Sequence, residues 1–319
     1  MVSAEPLLRV EGLSKYFKVK KRQLHAVENA SFNLHAGQTM GLVGESGSGK
    51  STLGRTLLHL LKPDKGRVVF DGIDLGKQSP EELRRKRNDM QMIFQDPLAS
   101  LNPRMSIGRS IEDPMIIHSV GSAKERKRRV EELLERVGLS RDLAQTYPFE
   151  LSGGQQQRVG IARSLALKPK LLVCDEPVSA LDVSIQIQII TLLQDLQREM
   201  NISNVFISHN LAVVEYLSDY VAVMYLGEIV EYASAEELFR RAAHPYTKVL
   251  INSILQIPKE YSGRSDFTVV QGDIPSPLYP PTGCPFHPRC PIARDICRVE
   301  KPQSRALGDE HMVACHFPE

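Results

Sequence analysis

The chain has 319 residues, 42% of them hydrophobic and 24% charged. That is enough apolar material for one large or two ordinary cored domains, and too much for a disordered chain. Forty Lys and Arg against 38 Asp and Glu leave a formal charge of +2, which argues against a protein whose main business is wrapping nucleic acid.

Residues 7–32 read as two strands around the basic connection KVKKRQ, and Thr39–Val43 as a short apolar strand ending at a glycine. A helix over Lys50–Leu61 follows directly, so the chain opens an α/β architecture with a strand–turn–helix unit. Arg67–Phe70 reads as a strand, Asp71-Gly72 as a turn, Pro80–Asn88 as a charged helix and Met90–Phe94 as another apolar strand. Between Pro97 and Glu150 the character changes. The spacing in AKERKRRVEELLERV predicts an amphipathic helix over Ala123–Val137 within a helical insertion. Further on, Val159–Leu167 continues a helix, Lys170–Cys174 is a buried strand, Ser184–Met200 a helix, and Asn204–Ser208 and Tyr220–Tyr225 are strands. The stretch from Ile257 is rich in Pro and Gly and reads as a small irregular appendage. No run of about 18 apolar residues occurs, so no membrane-spanning helix is expected. The opening MVSAEPLLRVEG lacks the basic and apolar regions of a secretory signal, and a cytosolic chain is expected.

Residues 44–51, GESGSGKS, fit a P-loop between the strand and the helix. Glycine is needed where the backbone turns tightly and its N–H groups converge on phosphate oxygens. The cradle comprises Gly44, Glu45, Ser46, Gly47, Ser48 and Gly49, followed by Lys50, Ser51 and Thr52. Lys50 is expected on the β- and γ-phosphates and Ser51 on magnesium, with the helix dipole aimed at the same anion. Downstream, LLVCDEP ends a strand in two carboxylates, where ligands bind in open α/β sheets. Asp175 is the candidate to hold magnesium through water, and Glu176 the candidate to polarise the attacking water.

Between these motifs lies LSGGQ, Leu151–Gln155; FQDP carries Gln95, SALD runs from Ser179 to Asp182, and ISHN carries His209. In this order the motifs resemble the ATP-binding cassette subunits of ABC transporters, over about residues 7–245. The resemblance implies an α/β fold: a P-loop NTPase cassette with a RecA-like core, an antiparallel β subdomain and a helical subdomain at about 97–165. It implies two cassettes closed head to tail around two ATP molecules. Ser152, Gly153, Gly154 and Gln155 would then face the γ-phosphate bound by the partner cassette. Gln95 would touch magnesium or the attacking water, Glu176 would be the general base, His209 would position the water, and Asp182 would bridge the dimer. Tyr16 and Phe17 are both candidates to stack on adenine, family spacing favouring Phe17.

FQDPLASLNPRMSIG and HPYTKVLINSI, followed by GDIPSPLYPPTGCPFHPRC, resemble the F-type ATPase subunit of dipeptide, oligopeptide and nickel importers. That implies a cassette domain over 1–256 and a tail over 257–319. It also implies partners: a second, related ATPase, two permeases and an extracytoplasmic solute-binding protein. The chain would then be peripheral on the cytoplasmic face of the inner membrane. A different solute, such as a nickel chelate, glutathione or a glycoside, and a soluble non-transport cassette ATPase are the alternatives. The tail holds Cys284, Cys290, Cys297 and Cys315, separated by 5, 6 and 17 residues. Zinc sites favour closely paired cysteines; four widely spaced thiolates suit a [4Fe–4S] cluster. Zinc and free thiols are the alternatives, with His287 and His316 as substitute ligands. The basic runs Arg84–Arg87 and Lys124–Arg129 read as solvated helix faces, and Cys174 as a small buried apolar residue.

Overall fold

The structure, a computed structural model, describes residues 5–253, 272–308 and 310–318. Two compact units divide the chain: Met1–Leu7, Leu34–Gln38 and Phe70–Ile207 form one, and Leu8–Asn33, Thr39–Val69 and Ser208–Glu319 the other. The boundary expected after residue 256 lies outside the described residues.

The second unit begins with β1 (Leu8–Val19) and β2 (Arg22–Leu34), two long strands joined through Lys20 in the left-handed region. β3 (Thr39–Val43) is buried at every position, and α1 (Lys50–Leu57) follows the glycine loop. The helix stops four residues short of the expected Leu61. His59 enters the left-handed region, and the Leu60 N–H turns back to Arg55 O at 2.9 Å, a terminator that hydrophobic spacing does not reveal. β4 (Lys65–Phe70) lies beside β1, opposite β2.

The other unit holds β5 (Ile73–Asp74), the capped α2 (Pro80–Lys86) and β6 (Met90–Ile93). Helices α3 (Pro97–Ser100), α4 (Ile107–Ile117) and α5 (Ala123–Arg136) occupy the stretch read as a helical insertion, and α6 (Gly153–Ser164) follows it. The helix over 123–137 forms as its spacing predicts: Val130, Leu133 and Leu134 are buried, and a Ser122–Glu125 capping box starts it. Helix α4 escaped the sequence reading because Pro114 sits inside it; proline is a break signal, yet it is accommodated near this helix's end. β7 (Leu171–Asp175), α7 (Val183–Met200) and β8 (Ser203–Ile207) complete the unit, with β7 parallel to both β6 and β8. The basic runs are paired: Arg85 with Glu81, Lys86 with Asp71 and Asp89, Arg126 with Glu112, and Arg128 with Glu132.

The chain returns to the second unit with α8 (Leu211–Leu217), β9 (Tyr220–Tyr225), β10 (Glu228–Ser234), α9 (Ala235–Arg240) and α10 (Pro245–Asn252). β3 pairs with β9 in parallel, and β10 turns back antiparallel on β9. A register shift between Ile229 and Glu231 lets Val230 and Glu231 both point inward. The described part of the tail holds only short elements. It carries α11 (Asp295–Val299), β11 (Arg305–Ala306) and β12 (Met312–Val313). β12 pairs with β10, Glu231 opposite Val313, so the tail extends the strands beside the P-loop strand. The buried Glu231 also meets His311 Nε2 at 2.8 Å and accepts from Ala243 and His244 N–H at 2.7 and 3.0 Å.

Candidate active site

The glycine loop after β3 is built on backbone that only glycine adopts cheaply. Gly47 and Gly49 have φ of 78° and 100°. A Cβ on Gly49 would lie 2.0 Å from Ala26 O, and one on Gly44 2.1 Å from Met224 O, so neighbouring backbone closes over the loop. Lys50 is buried, and its Nζ donates to Gly44 O at 2.8 Å and Glu45 O at 3.0 Å. The ammonium therefore sits folded into the cradle that encloses the expected phosphate position. Ser48 N–H closes a turn on Glu45 O at 3.2 Å, and Gly227 N–H donates to Ser48 O at 2.9 Å. His209, exposed, follows Ser208, whose N–H donates to Leu42 O of the P-loop strand at 3.1 Å. Asn210 then caps α8, accepting from Ala212 and Val213 N–H. This holds the short segment that presents His209.

The two carboxylates stand at the end of β7 in the other unit. Asp175 is buried; Glu176 has a left-handed φ of 46°, and its N–H donates to Ile207 O at 3.1 Å. A non-glycine residue held there stores strain of about 1–2 kcal/mol. The parallel register sets Ile93 opposite Cys174. Two residues further along each strand, the Gln95 amide donates to Glu176 Oε2 at 3.1 Å. Two residues assigned from motifs 81 positions apart thus meet because β6 and β7 run side by side. Cys174 is fully buried on the same strand, its thiol pushed up to about 12 by burial and then by Asp175.

In the signature segment Ser152 is the N-cap of α6. Gln155 N–H donates to Ser152 Oγ at 3.4 Å, and Gln155 Oε1 accepts from Ser152 N–H at 3.0 Å. Gly154 has a packing reason of its own: a Cβ there would lie 2.8 Å from Ile185 Cγ2 of α7. Asp182 is the N-cap of that helix. Of the two aromatic candidates, Tyr16 is engaged by protein: its hydroxyl donates to Glu28 at 3.0 Å, and its ring lies 4.5 Å from His25. Phe17 has the Lys15 ammonium 5.6 Å from its ring centre. Ser46, Ser51 and Thr52 stand where the cradle motif requires, in the loop and on the first turn of α1.

Cys284, Cys290, Cys297 and Cys315 are unbridged and line one cavity with Phe286, His287, Ile292, His316 and Phe317. Burial, then the neighbouring sulfurs, pushes the Cys284 thiol up to about 12. His287 Nδ1 lies 3.0 Å from Cys284 O, and His316 Nε2 lies 2.9 Å from Glu300 O. Both histidines thus spend a ring nitrogen on the backbone. Among the described residues no group of three or more His, Cys, Asp or Glu stands in a metal-holding arrangement. The convergence of four soft donors on one cavity is thus shown; a ligand geometry for a [4Fe–4S] cluster is not.

Sequence reasoning missed a link between this tail and the cradle. Arg289 donates through Nη1 and Nη2 to both carboxylate oxygens of Glu45, at 2.7 and 2.9 Å. The two residues lie 244 positions apart, and no local signal announces the pair. Tyr246 was likewise passed over, although its hydroxyl accepts the Glu45 N–H at 2.9 Å.

Residues 27–179 match the ABC transporter family, and residues 230–297 match the C-terminal region of oligopeptide/dipeptide transporters. The oligopeptide transport ATP-binding protein AppF of Bacillus subtilis is 47% identical over 321 residues, covering 98% of each chain. OppF of Haemophilus influenzae, also an oligopeptide transport ATP-binding protein, is 46% identical, covering 98% of this chain and 97% of its own. Among solved structures, the ATP-binding cassette MJ0796 bound to ADP and Pi in a dimeric post-hydrolysis state superposes with a TM-score of 0.66. It is 31% identical, covering 72% of this chain and 98% of that one. CbiO1 of Clostridium perfringens, part of the ABC transporter complex cbiONQ, gives the same TM-score at 29% identity, covering 74% of this chain and 92% of that one. ATP and Mg2+ are the cofactors expected of such cassettes. Likeness over nearly the whole length, joined to the cradle, the Gln95–Glu176 pair and the capped signature helix, makes the chain an ATPase that belongs to the ATP-binding subunit family of ABC transporters.

Proposed function

We propose that this chain powers the uptake of di- or oligopeptides as one of two cassettes beneath a pair of membrane permeases. The observation that carries the hydrolytic part is the Gln95 amide on the Glu176 carboxylate at 3.1 Å, at adjoining ends of parallel strands. A carboxylate fixed by a strained backbone and oriented by an amide is suited to take a proton from attacking water. Lys50 and the cradle N–H groups would bind the phosphates, and Ser51 and Asp175 would be the residues to hold magnesium, which would shield the phosphate charge. His209 orients the water, and Phe17 stacks on adenine, because Tyr16 is already committed to Glu28 and His25. Ser152, Gly153, Gly154 and Gln155 serve the nucleotide of a facing cassette. Support for a facing surface comes from α7: Val183 and Ile187, one turn apart and next to Asp182, are 71% and 60% exposed.

Peptide as the cargo is supported by the oligopeptide names of the relatives and by the matched C-terminal region. A distinct partner ATPase, an extracytoplasmic binding protein and a place on the cytoplasmic membrane face belong to the same reading. No helix among the described residues is long and apolar enough to cross a membrane, so the permeases supply the passage. The four-cysteine cavity is read as the seat of a [4Fe–4S] cluster with a structural role. Protein purified without air is then brown and contains iron; a colourless, zinc-rich preparation overturns that part.

The decisive experiment uses vesicles holding the whole assembly. Wild type takes up labelled peptide with ATP hydrolysis, while Glu176→Gln binds ATP and neither hydrolyses it nor transports. Hydrolysis at the wild-type rate by Glu176→Gln removes Glu176 from its role. Hydrolysis without uptake of any labelled peptide removes the substrate assignment.

A further inference from the structure

A carboxylate in the second position of a phosphate cradle is an electrostatic problem, because it stands beside the site of a highly charged anion. Glu45 occupies that position, and the fold encloses it. Its N–H donates to Tyr246 Oη at 2.9 Å, and its carbonyl accepts from Lys50 Nζ at 3.0 Å. Both carboxylate oxygens accept from Arg289 in a two-pronged pair, the most directional form of ion pair available to a side chain. The Arg289 side chain is 8% exposed, against 27% for Glu45, so solvent screens the pair less than a surface salt bridge. Tyr225 adds a second contact, its hydroxyl accepting from Nη1 at 3.4 Å and its ring centre 5.9 Å from the guanidinium.

Arg289 is itself held. It ends a short turn over His287–Arg289, its N–H donating to Phe286 O at 3.0 Å. Phe286 is buried among rings that serve the cradle: Tyr225 and Tyr246 lie at 5.3 Å, and His244 at 5.8 Å. The His244-Pro245-Tyr246 turn is fixed in turn by His244 Nδ1, which accepts from Tyr246 N–H at 3.0 Å. The tail therefore reaches the nucleotide cradle directly through Arg289, and indirectly through Phe286 packed on Tyr246; both routes end on Glu45.

We propose that Arg289 is a positioning residue for nucleotide binding: it cancels the charge of Glu45 and pins that residue within the cradle, so the C-terminal region sets the ATP affinity of the chain's own P-loop. This rests on the reading of residues 44–51 as the ATP cradle. The tail is then a working part of the nucleotide site, acting through charge compensation and touching neither phosphate nor water.

The test is an ATP titration of hydrolysis by the whole membrane assembly. Arg289→Met is expected to raise KM for ATP roughly three- to tenfold while kcat at saturating ATP stays within about twofold. Arg289→Lys, which keeps the charge and loses the fork, is expected to fall between. Adding Glu45→Gln to Arg289→Met removes the charge that needed cancelling and is expected to return KM towards wild type. A merely structural role for Arg289 predicts no such rescue, because both substitutions would then loosen the same contact. The proposal is overturned by an unchanged KM in Arg289→Met, by an equal loss of kcat, or by a double variant no better than the single. If Arg289→Met does not assemble, Arg289→Lys against Arg289→Lys with Glu45→Gln decides by the same comparison. Failure of the underlying reading looks different: Lys50→Ala would then leave ATP binding untouched in an otherwise wild-type assembly.

Discussion

Replacing Glu231 by Ala tests whether the tail is held as the structure shows. The Glu231 side chain is fully buried, and its two oxygens serve Ala243 N–H, His244 N–H and His311 Nε2 at 2.7, 3.0 and 2.8 Å. Alanine leaves two backbone N–H groups and a histidine without this acceptor in the interior. Each orphaned donor costs about 1–3 kcal/mol, so a loss of about 3–5 kcal/mol is expected. For a unit of this size that is a fall in melting temperature of roughly 6–20 °C. Calorimetry follows the transition, and amide exchange reads protection at Ala243 and His244 directly. Those amides should exchange faster in Glu231→Ala even where the rest of the unit is unaffected. The His244-Pro245-Tyr246 turn loosens with them, so the Tyr246 contact to Glu45 weakens and ATP binds less tightly. Unchanged melting together with unchanged protection at the two amides would refute the reasoning.

Two further outcomes follow from particular residues. His244 is fully buried, and burial lowers its pKa from 6.5 to about 3. The unfolded chain therefore takes up a proton below pH 6.5 that the folded chain refuses. This contribution is neutral above pH 6.5 and costs up to about 1.4 kcal/mol per pH unit between 6.5 and 3. His244→Asn keeps an acceptor for Tyr246 N–H and should lose that slope; equal stability–pH slopes between pH 6 and 4.5 would contradict it. In the cradle, Gly49→Ala drives a Cβ to 2.0 Å from Ala26 O at φ 100°, whereas Gly47→Ala meets nothing within 4 Å at φ 78°. Without nucleotide, Gly47→Ala should cost only left-handed strain of about 1 kcal/mol, and Gly49→Ala distinctly more. The reverse order of melting temperatures would show that the loop is not closed by neighbouring backbone.

What could be read from the residues alone was whatever is local. GESGSGKS lies between a strand and a helix, so its glycines, lysine and serine are placed by three adjacent elements. Gln95 and Glu176 were assigned one by one from short motifs after apolar strands. Helix α5 was legible because its apolar period and its cap lie within one stretch of sequence. The stop of α1 at His59, the proline-containing α4 and the two-residue strands of the tail were not, since each is carried by one unusual residue or by a partner strand. The inward turn of Glu231 needed the bulge in β10, which a period-2 reading places on the wrong face. The four cysteines were visible as a cluster in sequence, and the structure brings them to one cavity.

By itself the sequence determined the candidates: the residues of a glycine-rich phosphate cradle, two carboxylates at the end of an apolar strand, and the family that carries such a set. Tertiary structure alone decided which of those residues meet. The 3.1 Å contact of Gln95 with Glu176 depends on the register of two parallel strands, and the Arg289–Glu45 pair joins residues 244 positions apart. Pairings of that kind leave no local trace, because the free energy that makes them lies in burial and charge compensation between segments the chain brings together only on folding.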